Sequence, residues 1–193
     1  GDELAALGWG FAPDRDKPVS GCMVPHEIFS SCAGAAIYRK SVFDEIGLFD
    51  ESFFAYLEDM DIGYRARLAG YRNLYNPYAK VYHLGSASSG SRHNAFKVEL
   101  SARNSMYMLR KNMPAWQMVL NVPFIAAGII IKTVYFAKRG LVTAYLKGIV
   151  KGLSGKLRNT SKNAGEKHKD TGFATYLGLQ MWLFRGMIKR VKK

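Results

Sequence analysis

The stretch Tyr56-Leu57-Glu58-Asp59-Met60-Asp61-Ile62-Gly63-Tyr64-Arg65-Ala66-Arg67-Leu68-Ala69-Gly70 carries the strongest helix signal in the chain. Three acids fall in its first turn and two arginines towards its end, the order that suits a helix dipole. Gly70 stands where a C′ glycine ends a helix. The spacing predicts a helix from Leu57 to Ala69. Within it Asp61 and Arg65 stand i,i+4, an ordinary helical ion pair.

Working upstream, Leu48 to Phe54 reads as an aromatic-rich loop. Ser41-Val42-Phe43-Asp44 has the form of a capping box with Asp in place of Glu, so a short helix is expected from Ser41, ended by Gly47. Ala33-Gly34-Ala35-Ala36-Ile37-Tyr38 is small and apolar and predicts a buried strand. Residues 1–30, rich in Gly, Pro and Asp, read as loop with at most a short strand. Downstream, residues 72–82 read as two short strands around Asn76-Pro77. His83 follows, then a Gly/Ser loop and a helix over 95–112.

From Pro114 the character changes. Ala115 to Ile131 is seventeen residues, almost all apolar, broken by Gln117, Asn121 and Pro123. That length lies at the lower edge of the roughly 17–25 residues that cross a bilayer. Amphipathic helices are expected at 141–153 and 173–191, with a polar linker over 154–172. Charge follows the same division. Residues 1–131 hold 13 basic and 13 acidic side chains, whereas residues 132–193 hold 15 basic side chains and only Glu166 and Asp170 as acids. The whole formal net charge of +13 therefore sits in the last third. Lysines and arginines alternate there with long apolar runs, the pattern of helices lying on an anionic membrane surface. No nucleic-acid-binding motif accompanies them, so nucleic acid is not expected as a partner.

Cys22 and Cys32 match no metal or redox spacing and read as free thiols in a reducing compartment. No signal peptide is visible, and the chain, without an initiator Met, reads as a fragment.

Acids in the first turn of a helix, small residues in a strand and a histidine after a strand each have a structural reading when taken alone. Their order is more specific. Gly34-Ala35-Ala36-Ile37-Tyr38-Arg39-Lys40, then Phe43 through Phe54, then Tyr56-Leu57-Glu58-Asp59-Met60-Asp61 resembles family 2 glycosyltransferases, as do Arg65 to Tyr71 and Val81-Tyr82-His83-Leu84-Gly85-Ser86. The similarity covers about residues 30–112, and rhamnosyltransferase-like members of bacterial surface-polysaccharide pathways are the nearest type.

The resemblance implies an α/β fold. Residues 1–113 would form the acceptor-side half of a GT-A-type mixed sheet, and residues 114–193 a basic, membrane-associating region of amphipathic helices. It implies inverting transfer of a sugar from a nucleotide-diphosphate donor to a lipid-linked saccharide or growing glycan. Asp59 would be the general base and Glu58 its neighbour, with the two roles open to reversal. Gly34, Ala35, Phe54, Tyr56, Asp61 and Arg65 are the substrate-binding candidates, the aromatic rings by stacking on sugar faces. His83 would help hold a divalent metal, Mn²⁺ or Mg²⁺, on the donor diphosphate. The family's Asp-x-Asp metal motif and its nucleotide-binding half are not found; Asp59-Met60-Asp61 has the spelling but lies on a helix. The chain by itself is therefore expected to be inactive, and the intact enzyme to be peripheral on the cytoplasmic face of the inner membrane. The alternative from another class is a membrane-associated adaptor that keeps the fold without the activity.

Overall fold

The computed structural model describes residues 1–82, 94–156 and 171–191. They form a mixed α/β structure dominated by helices. Strands β1 (Glu3–Ala5) and β2 (Trp9–Phe11) make a tight antiparallel hairpin pairing Leu4 with Gly10, its turn completed by Gly8 at φ +75°. Strands β3 (His26–Ile28) and β4 (Asn73–Tyr75) pair antiparallel as a second two-stranded sheet. A single bridge between Asp2 and Ser30 links the two sheets. Helices α1 (Lys40–Ile46), α2 (Glu58–Leu68), α3 (Ala95–Asn112), α4 (Ala115–Ala137), α5 (Val142–Ser154) and α6 (Phe173–Val191) supply the rest.

Several sequence expectations change in detail. The buried strand expected at 33–38 is instead a single helical turn, Ala33–Ala35, followed by extended chain, and Ala33, Gly34 and Ala35 are exposed. Its backbone finds partners locally: Ala35 N–H donates to Cys32 and Ala33 N–H to the Asp59 carboxylate, so no sheet ladder is needed. Helix α1 starts at Lys40 from an extended Arg39, without a side-chain cap from Ser41. Of the two strands expected around Asn76-Pro77 only β4 forms. Asn76 accepts from the Tyr78 N–H in a turn, and Tyr78, Val81 and Tyr82 stand exposed with no strand beside them among the described residues. Among the described residues both sheets are two-stranded and antiparallel, in place of the mixed sheet expected. The 95–112 helix, the ends at Gly47 and Gly70 and the three tail helices stand as read.

One apolar cluster runs across the boundary expected at 113/114, joining Leu4, Phe29, Tyr64 and Met106 to Ile125, Tyr145 and Leu183. Glycines allow the close approaches. Gly148 and Gly152 lay α5 directly on the α3 backbone at Glu99 and Arg103, and Gly186 brings α6 against Leu4 of β1. A Cβ at any of these would collide with a main-chain carbonyl. The polar breaks in the apolar run of α4 are explained by packing. Gln117 and Asn121 donate to Gln180 Oε1 of α6 at 3.0 and 2.8 Å, Gln180 returns a bond to Asn121, and Tyr64 OH donates to Gln117. Among the described residues α4 is the helix long and apolar enough to cross a membrane, and packing covers only 22% of its most apolar window.

Helix α2 is buried along nearly its whole length, and charge holds it there. Asp61 accepts from Arg65 Nε (2.9 Å), Lys111 Nζ (2.9 Å) and Asn112 Nδ2 (2.8 Å). Arg65 also caps the end of α1 and the following loop by donating to the carbonyls of Ile46, Gly47 and Leu48. Lys111 bridges on to Asp50, whose carboxyl is opposed by burial yet held down to about 2 by the Lys111 bond and the Ser52 N–H. Arg67, two residues on and so on the other side of α2, donates to the carbonyls of Ile28 and Phe29 and to Glu27, and stacks on Trp182 at 4.0 Å. Breaking a buried pair from one side leaves an uncompensated charge. Asp61→Ala is expected to cost about 3–5 kcal/mol, read as the shift of the urea unfolding midpoint against a control substitution at exposed Lys17. A change under about 1 kcal/mol, the size typical of a surface ion pair, would mean that the cluster does not hold α2.

Candidate active site

The approach to α2 is strained. Phe54, Tyr56 and Leu57 have φ of +61°, +68° and +68°, none of them glycine. Each such conformation costs about 1–3 kcal/mol and persists only where the surroundings enforce it. Here Asn104 of α3, fully buried, enforces it. Its Nδ2 is shared among the carbonyls of Phe53 (2.9 Å), Ala55 (2.8 Å) and Tyr56 (2.8 Å). The consequence is that Glu58 and Asp59 open the helix at the mouth of a cleft rather than on an outer face.

That cleft encloses about 660 Å³. Gly34 and the turn at Ala33 form one side, Tyr56 to Met60 another, and α3, α4 and α5 contribute Ser101, Lys132 and Tyr145. Asp59 is held firmly: Oδ1 accepts from Met60 N–H at 2.8 Å and Oδ2 from Ala33 N–H at 3.1 Å. Its carbonyl accepts from Ser30 Oγ at 2.7 Å, and Gly63 gives Ser30 the room to approach. Each carboxylate oxygen keeps a further lone pair for a substrate. Beside it, one buried oxygen of Glu58 has no hydrogen-bond partner, and burial followed by the Asp59 charge raises the Glu58 carboxyl, against a bond to its own backbone. Glu58 lines the cleft, and this unmet acceptor lies buried just behind its wall.

The structure thus brings Gly34, Tyr56, Glu58 and Asp59 together. Ala35 and Phe54 are exposed and not among the lining residues; Phe54, 79% exposed, lies edge-on to Phe96. Asp61 and Arg65 do not reach the cleft; both are buried and satisfied in the charge cluster beneath it, which corrects their assignment as substrate contacts. His83 lies outside the described residues. Sequence reading missed Asp2, Cys32, Lys132 and Asn104. None carries a spacing signal; an Asn on the buried face of α3 was the one visible irregularity.

Asp2, Cys32 and Asp59 each offer a ligand atom within 4.8 Å of the others. The trio is a poor match for Mg²⁺ or Mn²⁺, which prefer all-oxygen shells, because the third donor is a thiol that burial pushes towards its neutral form.

Comparison with known proteins adds a short segment. Over 54 residues the chain is 43% identical to the N-acetylglucosaminyl-diphospho-decaprenol L-rhamnosyltransferase of Mycobacterium tuberculosis, in strains CDC 1551 / Oshkosh and ATCC 25618 / H37Rv. Along that segment the chain is glycosyltransferase-like. The match covers 28% of this chain and 18% of those relatives' length. Over 80 residues, 41% of the chain and 9% of the relative, it is 32% identical to the uncharacterized protein y4gI of Sinorhizobium fredii (strain NBRC 101917 / NGR234). No protein-family model and no solved structure matches.

Burial, and then the neighbouring Asp59 charge, raise the Asp2 carboxyl to about 6. A carboxyl raised in the folded state binds its proton more tightly there than in the unfolded chain. Its stabilising share is complete below the unfolded pKa near 3.8 and is lost as pH rises through about 6. Asp2→Asn should therefore melt higher than the parent at pH 7.5, with the advantage shrinking towards pH 4. Equal melting temperatures across that range would remove the like-charge contact from the site.

Proposed function

We propose that this chain is the acceptor-side part of an inverting, family 2-type GT-A glycosyltransferase that transfers a sugar, of rhamnosyl or hexosyl type, from a nucleotide-diphosphate donor to a lipid-linked saccharide. The observation that carries the reading is the Asp59 carboxylate, fixed by two backbone N–H groups in a cleft beside the orphaned oxygen of Glu58. The printed name of the mycobacterial relatives, a rhamnosyltransferase acting on a diphospho-decaprenol sugar, supports the substrate class.

In this mechanism the acceptor hydroxyl lies between Glu58 and Asp59. Its oxygen attacks the anomeric carbon while the bond from that carbon to the donor diphosphate breaks on the opposite face. The hydroxyl proton passes to Asp59, and the bonding electrons leave with the nucleoside diphosphate. Glu58 orients the hydroxyl, and the Tyr56 ring offers a face to the sugar. A divalent ion on the donor diphosphate, for which His83 would be one ligand, would supply charge neutralisation of the leaving group.

The tail suits a peripheral seat on the cytoplasmic face of the inner membrane. Val119, Ile130 and Val134 of α4, Val150 of α5 and Met181 and Ile188 of α6 are exposed apolar side chains, and exposed Lys138, Arg139 and Arg185 stand among them. Apolar faces bordered by cations bind anionic bilayers, roughly 1 kcal/mol per basic side chain.

Two measurements test this. In the full-length protein that contains this chain, Asp59→Asn should lower turnover roughly 10²–10⁴-fold with donor binding intact, and Glu58→Gln less; near-normal turnover in Asp59→Asn would sink the assignment. The chain should also sediment with vesicles containing anionic lipid and be weakened by salt, whereas equal recovery with neutral vesicles would remove the electrostatic part of the attachment.

A further inference from the structure

The cleft that holds Glu58 and Asp59 also has cations in its wall. Lys132 of α4 lines it, partly buried, with Nζ 4.9 Å from the centre of the Trp9 ring. Arg190 of α6 lies over the same ring at 5.9 Å and over Phe11 at 5.6 Å. Among the described residues neither cation has a carboxylate partner or a hydrogen bond. The neighbouring Lys189, by contrast, is paired with Glu3, so an acid is within reach of this helix end and is used elsewhere.

Two like charges brought around one indole without a counter-ion repel each other. Burial, and then the Arg190 charge, depress the Lys132 ammonium to about 8. A multivalent anion bound by both groups would cancel the repulsion and offset part of the cost of burial. An ammonium as a point charge together with a guanidinium fork is a suitable pair for phosphate oxygens. The position is also informative. Glu58 and Asp59 lie in the same cleft as Lys132, and both cations sit on the helices whose outer faces are apolar.

We propose that Lys132 and Arg190, flanking Trp9, form the seat for the diphosphate of an isoprenyl-diphosphate-linked acceptor. The first sugar then reaches from that seat towards Glu58 and Asp59, and the isoprenyl chain leaves along the exposed apolar side of α4 and α6. This rests on the glycosyltransferase reading for its acceptor class, but the seat itself is a binding site that can be measured without turnover. It also divides the work: the carboxylates in the cleft meet a hydroxyl, while Lys132 in its wall and Arg190 beside the wall residue Phe11 meet the diphosphate.

The test is binding of farnesyl diphosphate to this chain by calorimetry, with farnesol and UDP as comparison ligands. The parent should bind farnesyl diphosphate in preference to both. Lys132→Met and Arg190→Met should each weaken it roughly tenfold to a hundredfold, the loss expected for a charge-assisted bond, and Lys132→Arg should restore most of the affinity. Circular dichroism checks that each variant folds; Arg190 is exposed, so its variant stays informative if Lys132→Met does not fold. Unchanged affinity in a folded Arg190→Met or Lys132→Met variant would overturn the proposal. So would binding of UDP equal to that of farnesyl diphosphate and equally sensitive to the substitutions, which would assign the cations to the donor. Asp59→Asn separates the two readings. If it abolishes transfer in the full-length protein while Lys132→Met binds farnesyl diphosphate normally, the seat fails and the catalytic reading stands. If transfer survives Asp59→Asn while the cation variants lose the lipid diphosphate, the seat stands without that base.

Discussion

Asp61 receives Arg65, Lys111 and Asn112 where its side chain is fully buried, and most of the structure is arranged around that carboxylate. Two cations and two anions, counting Asp50, form a cluster without net charge, which is the condition under which charges survive burial. From it Arg65 reaches the end of α1, Lys111 holds α3, and Asp50 shapes the loop that leads to α2. The helix carrying Glu58 and Asp59 can therefore neither rotate nor slide without exposing a buried charge. A catalytic carboxylate needs such an anchor, since small displacements of a reacting group cost large factors in rate.

Strain works on top of this anchor. Three residues, Phe54, Tyr56 and Leu57, take backbone conformations unfavourable to side-chain-bearing residues, and one Asn104 amide holds the carbonyls of this loop. Without that clamp the loop would relax and the first turn of α2 would point elsewhere. Asp59 in turn depends on the exposed turn at Ala33–Ala35, whose N–H fixes one carboxylate oxygen. The small residues there serve a hydrogen bond to the site rather than a sheet.

The C-terminal third is both scaffold and surface. Its inner faces complete the core through glycine contacts and the Gln117–Asn121–Gln180 amide cluster, while its outer faces remain apolar and basic. Two of its cations, the partly buried Lys132 and the exposed Arg190, lie against the Trp9 ring. The same helices thereby join the cleft to the surface on which a lipid-linked substrate would lie.

The sequence by itself determined the helices, their ends at Gly47 and Gly70, the Glu58-Asp59 pair at the start of α2 and the split between a neutral first part and a basic tail. These are local properties: periodicity, glycine at positive φ and charge counting need only near neighbours. It misread Ala33–Tyr38 as a strand, because small apolar residues suit a tight turn as well as a sheet, and only the partner of Ala33 N–H distinguishes them. It offered Asp61 and Arg65 to substrate, because an i,i+4 pair looks the same exposed or buried. Asp2, Lys132 and Arg190 had no signal at all, and Asn104 showed only as an Asn on the apolar face of a helix. They act with residues dozens to well over a hundred positions away, and such meetings are settled by how the helices pack around one buried carboxylate, which no local pattern encodes.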